Sequence, residues 1–369
     1  MTKQWPDWLP LRNDLQSLSP YGAPQVPSQA AMNTNENPFP PSPELQAAIA
    51  EKLAQVSSML NRYPDRDAIA LRTSLSNFIN ELSKTSFDHN FIWAANGSNE
   101  IIQSIFLAFS GGSALGFTPS YSMHPLISKV TSVRWVDGAR NSDLTFNIDL
   151  AIAQVKELRP RLTFITTPNN PTGDAITIGE IERLAAVVAS VGGLLIVDEA
   201  YAEFSQESSA VTLIDSYPHL IVIRTMSKAF AFAGARVGYL VAHPKVIDAM
   251  TLVRLPYHLS ALTQSAAVVA LEFRKELLAT VATLVSERER VVTALHSFGL
   301  RTIPSSANFL LFSGFGQSAP QLWQAMLDKG ILIRDVGLSG YLRVTIGNVA
   351  ENNLFLEKLQ EIKNETSQS

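Results

Sequence analysis

Leu220-Ile221-Val222-Ile223-Arg224-Thr225-Met226-Ser227-Lys228-Ala229-Phe230-Ala231-Phe232-Ala233-Gly234-Ala235-Arg236-Val237-Gly238 is the stretch whose reading decides the fold. The apolar run Leu220 to Ile223 predicts a buried strand. Polarity follows abruptly, with two hydroxyls, one lysine, small residues and then one arginine. Burial among small apolar residues disfavours a charged amine and lowers its pKa. A lysine near neutrality can attack a carbonyl carbon. Thr225, Ser227 and Arg236 together suit a phosphate, because hydroxyls donate to its oxygens and a guanidinium pairs with it in a fork. A lysine for an aldehyde beside groups for a phosphate points to pyridoxal 5'-phosphate.

Working outward, Leu194-Leu195-Ile196-Val197-Asp198-Glu199-Ala200-Tyr201 is a continuous apolar run ending in acid. That pattern predicts a strand buried on both faces, with chemistry at its carboxyl end. Asp198 can pair with a pyridine nitrogen and keep it protonated, which strengthens the ring as an electron sink. A magnesium-binding aspartate is the other reading, but no phosphate-loop lysine motif precedes it. Ile92 to Glu100 reads as strand, glycine turn and helix start. Unpaired N–H groups at such a start favour an anion. Gly97 permits close backbone approach, and Ser98 adds a hydroxyl. Ala114 to Phe117 predicts the next strand, with Thr118-Pro119-Ser120-Tyr121 at its end, where Tyr121 can stack on a flat ring. His124, close by, reads as structural. In Phe164 to Gly173, two prolines hold Asn170, whose amide can donate to a phenolate oxygen. Tyr201 can donate to the same oxygen. Thr177 and Glu180 predict a capping box opening a helix.

The chain has 369 residues, 46% hydrophobic and 17% charged, with a formal net charge of -4 and no cysteine. One or two globular domains are expected. Charge of both signs is dispersed, so nothing electrostatic calls for nucleic acid or an anionic membrane. Disulfides and thiolate metal sites are excluded, no metal site is expected, and a cytoplasmic location is expected. Met1 to Pro10 carries no apolar signal core. The apolar region Leu184 to Val197 is interrupted and too short to span a bilayer.

Residues 1–41 read as an arm: six prolines between Pro20 and Pro41 oppose regular helix. The arm carries Tyr21 and the polar turn Asn33-Thr34-Asn35-Glu36-Asn37-Pro38. Ser42-Pro43-Glu44 starts a helix, and Asn61-Arg62-Tyr63-Pro64-Asp65 reads as an exposed turn. Arg236 to Ala242 predicts an antiparallel or edge strand. A helical region with breaks follows from about Leu259 to Phe298. The last seventy residues alternate strand and helix as a small α+β unit, ending in a polar tail after Lys363 expected to fray. Arg334 and Arg343 each lie inside an apolar strand. A guanidinium there needs an anion or an acid partner.

Five motifs occur in one order: Gly-Ser-Asn-Glu from Gly97, Pro-Ser-Tyr ending at Tyr121, Asn-Asn-Pro-Thr-Gly from Asn169, Asp-Glu-Ala-Tyr from Asp198, and Ser-Lys at Lys228 with Arg236. This set resembles fold-type I aminotransferases. With Asn-Glu-Asn-Pro at Asn35, it resembles the histidinol-phosphate aminotransferase family, actinobacterial type, from Tyr21 to Arg343. The resemblance implies an α/β fold. A large domain, 42–258, would hold a mostly parallel seven-stranded sheet between helices. A connecting helix and small α+β domain would span 259–369, beside the arm 1–41.

The resemblance also implies roles. Lys228, Asp198 and Tyr201 would be catalytic. Gly97, Ser98, Asn99, Tyr121, Asn170, Thr225, Ser227 and Arg236 would hold the cofactor with them, and Tyr63 would reach it from the partner of a homodimer. Tyr21, Asn35, Asn99, Tyr257, Arg334 and Arg343 would face substrate, Arg343 its carboxylate and Arg334 its phosphate. An acid stands at position 99 in many relatives, so Asn99 bears on substrate choice. Lys228 would hold the cofactor, yield it to a substrate amine, and shuttle a proton. The implied substrates are histidinol phosphate and 2-oxoglutarate. The alternatives are an aromatic aminotransferase acting on phenylalanine, a decarboxylase of threonine phosphate, and a regulator's sensor module.

Overall fold

The computed structural model describes residues 5–368. Residues 1–4 of the start and Ser369 of the tail lie outside the described residues. In chain order, the elements are β1 (Ala30–Ala31), α1 (Pro43–Ser57), α2 (Ile69–Ser83), β2 (Ile92–Ala95), α3 (Ser98–Phe109), β3 (Ala114–Phe117), α4 (Met123–Val130), β4 (Trp135–Gly138), α5 (Ile148–Leu158) and β5 (Leu162–Thr166). Then come α6 (Ile178–Ser190), β6 (Leu194–Asp198), β7 (Leu220–Thr225), β8 (Gly238–Ala242), α7 (Pro244–Val253), α8 (Ala261–Glu272) and α9 (Arg274–Ser297). The chain closes with β9 (Arg301–Thr302), β10 (Phe309–Ser313), α10 (Ala319–Asp328), β11 (Ile331–Leu332), β12 (Tyr341–Thr345) and α11 (Val349–Gln368).

Seven strands form one sheet in the order β2-β8-β7-β6-β5-β3-β4. Only β8 runs against its neighbours, pairing antiparallel with both β2 and β7. The apolar runs of β6 and β7 are buried on both faces because helices cover the sheet on either side. The parallel strands β5, β6 and β7 end together at Thr166, Asp198 and Thr225. Their carboxyl ends therefore define one rim, where ligands bind in sheets of this type.

The local signals fold as read. Ser42 Oγ accepts the Leu45 N–H at 3.1 Å, with Pro43 in the first helical position. Thr177 and Glu180 form the reciprocal capping box. The helical region after Leu259 breaks once, at Phe273, between α8 and α9.

Three expectations are corrected. The strand after Arg236 begins at Gly238; it is antiparallel, one of the two forms expected, and lies inside the sheet rather than at an edge. Arg236 itself takes a left-handed φ of 56° that ends the preceding turn. Ile331 to Arg334 is not one strand. β11 pairs parallel with β1 of the arm, and Arg334 then bridges Arg343 of β12. The tail after Lys363 continues as helix to Gln368.

β12, β10 and β9 form a separate antiparallel sheet. The arm is thus stitched to this sheet's neighbourhood. β1 pairs with β11, and the Thr345 N–H donates to the Met32 carbonyl at 2.9 Å. No helix among the described residues is long and apolar enough to cross a membrane.

Candidate active site

A cleft of about 640 Å³ opens at the carboxyl rim of the large sheet, walled by the arm and β12. Most of the predicted residues line it: Tyr21, Asn35, Ser98, Asn99, Tyr121, Asn170, Asp198, Tyr201, Thr225, Ser227, Lys228, Arg236, Arg334 and Arg343.

Lys228 follows β7 by three residues and reaches the cleft from the rim. Its Nζ donates to the Thr34 carbonyl of the arm at 2.8 Å. Burial, and next the positive charge of Arg343, push this amine down to about 8. The amine is therefore a usable nucleophile near neutrality.

A candidate anion cradle is built from two turns packed back to back. Gly97 takes a φ of 81° ahead of α3, and an added Cβ there would lie 2.6 Å from Arg236 Nη2. A Cβ on Gly238 would fall 2.4 Å from Gly97 C and from Ser98 N. Only glycine at both places lets β8, the α3 amino end and the Arg236 guanidinium meet. Thr225 and Ser227 complete the cradle, linked Oγ to Oγ at 3.1 Å. A hydroxyl pair, a guanidinium and a helix amino end are groups that could hold a dianion.

Asp198 is buried at the end of β6. Its Oδ2 accepts from His124 Nε2 at 3.1 Å, and its Oδ1 from the Ala200 N–H at 3.2 Å. A carboxylate only accepts, so His124 carries its proton on Nε2. His124, read from sequence as structural, is fully buried against Tyr121, Trp135 and Phe164 and braces Asp198. Tyr121 Oη donates to Asn99 Oδ1 at 3.1 Å, and both line the cleft. Tyr201 Oη accepts from Asn35 Nδ2 at 2.9 Å and from Asn170 Nδ2 at 3.5 Å. Burial pushes the Tyr201 hydroxyl up, against the lowering effects of Arg343 and Asn35.

Arg343 and Arg334 stand side by side because their backbones exchange two hydrogen bonds at 2.9 Å. Arg343 donates to Asn170 Oδ1 at 2.5 Å and to the Asn33 carbonyl at 2.7 Å. Its Nε has no hydrogen-bond partner among the described residues. Burial lowers its guanidinium to about 10, with neighbouring Arg334 adding to the depression and Tyr201 opposing it. Neither arginine has a carboxylate partner among the described residues, so both charges are left for a ligand in the cleft.

Two predicted residues lie elsewhere. Tyr63 is 80% exposed and stacks on Tyr257 with ring centroids 4.4 Å apart. Tyr257, expected near substrate, does not line this cleft. Arg254 donates to Asp67 at 2.5 Å and Gln264 to the Asp65 carbonyl at 2.9 Å, which pins the 254–258 turn onto the Tyr63 loop instead.

Sequence reading missed a second network. Arg224 is fully buried on β7 and pairs with Glu199 at 2.6 Å and Glu203 at 3.0 Å. Burial opposes its charge, but Glu203, Tyr239 and Glu199 more than reverse that, and it stays protonated. The rule used for Arg334 and Arg343, a guanidinium inside an apolar strand, would have found it.

Strand order, the depressed lysine and the anion cradle define a pyridoxal-phosphate-dependent aminotransferase. The family model for "Aminotransferase class I and II" matches residues 27–359. A histidinol-phosphate aminotransferase of Mycobacterium marinum is 54% identical over 353 residues, covering 95% of this chain and 91% of that protein. One of Nocardia farcinica is 53% identical over 353 residues, with the same 95% and 91% coverage. The solved histidinol-phosphate aminotransferase of Sinorhizobium meliloti, in complex with pyridoxal-5'-phosphate, superposes with a TM-score of 0.81 at 25% identity. That superposition covers 97% of this chain and 98% of that one. The chain belongs to the histidinol-phosphate aminotransferase family.

Proposed function

We propose that this protein transfers the amino group of L-histidinol phosphate to 2-oxoglutarate, reversibly, giving imidazole-acetol phosphate and L-glutamate in histidine biosynthesis. The observation that carries this reading is the adjacent pair Arg334 and Arg343, without carboxylate partners among the described residues, lining the cleft of Lys228. One half-reaction presents a phosphate and the other a carboxylate, and guanidinium forks suit either.

Pyridoxal phosphate, when bound, supplies an aldehyde for the amino group and a ring that spreads the electron pair released at the substrate carbon. Lys228 would hold it and afterwards move the proton between substrate and cofactor carbons. Asp198, braced by His124, would hold the proton on the pyridine nitrogen. Asn170 and Tyr201 would donate to the phenolate oxygen, and Tyr121 would stack on the ring. Gly97, Ser98, Asn99, Thr225, Ser227 and Arg236 would hold the phosphate end. Tyr21, Asn99 and Arg334 would face the imidazole or phosphate end of substrate, and Arg343 a carboxylate, whereas the Asn35 amide, engaged with Tyr201 and Thr345, would not.

The protein would act in the cytoplasm as a homodimer. Met59, Leu60, Tyr63, Leu252, Leu255 and Tyr257 form an exposed apolar patch that a single chain leaves in water. A second copy would cover it and receive Tyr63 at its cofactor phosphate, placing Tyr257 near that shared boundary. Sedimentation at micromolar concentration tests this, and a monomer would contradict it.

Specificity constants for histidinol phosphate and phenylalanine test the substrate assignment. The reading requires a preference for histidinol phosphate. A preference for phenylalanine would make the protein an aromatic aminotransferase, and release of carbon dioxide from threonine phosphate would make it a decarboxylase.

A further inference from the structure

Asn35 looks from sequence like a substrate ligand, but its polar groups are engaged inside the protein. Its backbone N–H donates to Thr345 Oγ1 at 3.0 Å, and its carbonyl accepts from Asn308 Nδ2 at 3.2 Å. Thr345 Oγ1 donates in turn to Asn35 Oδ1 at 3.0 Å. A hydroxyl has one hydrogen, and this one is spent on the amide oxygen. The amide is thereby oriented, oxygen toward Thr345 and nitrogen toward Tyr201. Asn35 Nδ2 donates to Tyr201 Oη at 2.9 Å. Asn170 approaches the same oxygen as a second amide donor, its own orientation fixed by Arg343 on Oδ1.

A phenol oxygen that accepts amide N–H groups must send its own hydrogen elsewhere. Among the described residues no acceptor takes it, and Tyr201 lines the cleft. Thr345 and Arg343 are two apart on β12 and so project from one face. That face and the arm together fix the surroundings of one hydroxyl.

We propose that Asn35 and Thr345 are positioning residues that aim the Tyr201 proton into the cleft, where it donates to the phenolate oxygen of the cofactor. The inference rests on the assignment of Tyr201 to that oxygen. It makes donation by Tyr201 depend on the arm and on β12, neither of which belongs to the strand rim that carries Lys228 and Asp198. The charged and titratable groups facing Tyr201 are Asp198 at the end of β6, Arg343 on β12, Tyr121 beyond β3 and Tyr21 in the arm, with Lys228, Glu36, Arg236, Arg334 and Asp335 in the same cleft.

The test is the pH at which the visible absorbance of the lysine-bound cofactor changes. A donor on the phenolate oxygen competes with the neighbouring nitrogen's proton for that negative charge. Losing the donor strengthens the hold on the proton and raises the midpoint. Tyr201→Phe is expected to raise it by about one pH unit. Asn35→Asp offers an acceptor where Tyr201 now meets a donor, and Thr345→Val frees the amide to turn over. Both are expected to raise the midpoint, by less than Tyr201→Phe does, while Thr345→Ser restores the wild-type value. In the Tyr201→Phe background, Thr345→Val is expected to add nothing.

Thermal melting of the holoenzymes confirms that each variant is folded, and Thr345→Val against Thr345→Ser carries the comparison if Asn35→Asp does not accumulate. Wild-type midpoints in Asn35→Asp and Thr345→Val, beside a shifted Tyr201→Phe, would overturn the inference alone. A Thr345→Val shift that persists without the Tyr201 hydroxyl would also overturn it. A wild-type midpoint in Tyr201→Phe would overturn the assignment of Tyr201 itself.

Discussion

Gly97→Ala separates the cradle from the rest of the site. The new Cβ falls 2.6 Å from Arg236 Nη2 and 3.3 Å from its Cζ. Ordinary contact begins near 3.4 Å, so the guanidinium must retreat by about 0.8 Å. The backbone cannot give way instead, because Gly238 is packed directly behind it, with room for no Cβ. The φ of 81° adds strain of about 1–2 kcal/mol, which lowers thermal stability without touching the ligand. The displaced guanidinium loses a hydrogen bond to a charged phosphate, worth about 1.5–3 kcal/mol. Cofactor affinity is therefore expected to fall by roughly 10- to 150-fold. The assay is titration of cofactor-free protein with pyridoxal phosphate, read by visible absorbance, beside a melting curve. Gly179→Ala is the control, since nothing lies within 4 Å of an added Cβ there. A folded Gly97→Ala protein that binds the cofactor within twofold of wild type would refute the placement of phosphate between Gly97 and Arg236.

The Lys228 amine, lowered to about 8 from the usual 10.5, titrates with a definite sign. Between those values the unfolded chain binds more protons than the folded one. This group therefore adds stability as pH rises through the window and removes it as pH falls. Reductive labelling of Lys228 in cofactor-free protein should rise with pH with a midpoint near 8, and a midpoint near 10.5 would contradict the burial argument. Arg334→Ala should lower kcat/KM for histidinol phosphate by roughly 10- to 150-fold, with a smaller loss for glutamate, because a charged hydrogen bond of about 1.5–3 kcal/mol is removed. Equal losses for both substrates in steady-state kinetics would remove Arg334 from phosphate recognition. Arg224→Leu leaves Glu199 and Glu203 buried without their cation, and urea unfolding should show a loss of about 3–5 kcal/mol. A loss below about 1 kcal/mol would mean the two carboxyls find protons or water at little cost.

The strand rim was legible because each of its strands is an apolar run that stops at a polar residue. Leu194 to Asp198 and Leu220 to Thr225 need no partner information to be read as buried strands with chemistry at one end. What sequence could not supply was pairing at a distance. Whether Arg236 to Ala242 lay at an edge depended on β2, which is more than a hundred residues away and pairs along its whole length. The bridge between Arg334 and Arg343 and the docking of β1 on β11 are likewise long-range contacts.

The site residues were found where the residue type is unusual for its setting, as with Lys228 among alanines. Asn35 and Tyr257 were named from the family resemblance alone, which says nothing of the contacts each makes in this chain. Asn35 entered as a substrate residue through the Asn-Glu-Asn-Pro resemblance, and its left-handed φ of 55° and its bonds to Tyr201 and Thr345 are long-range facts that the motif does not carry. Tyr257 was placed near substrate by the same resemblance; in the single chain the Arg254–Asp67 ion pair sets its turn against Tyr63. His124 carried no local signal at all, because its meaning comes from Asp198, 74 residues on.

The covalent point of attachment is the most direct thing to measure. Borohydride reduction of the holoenzyme, followed by digestion and mass mapping, should leave one pyridoxyl group, on the peptide that contains Lys228. A group found on any other lysine, or none after reduction of a visibly coloured protein, would contradict the account at its centre.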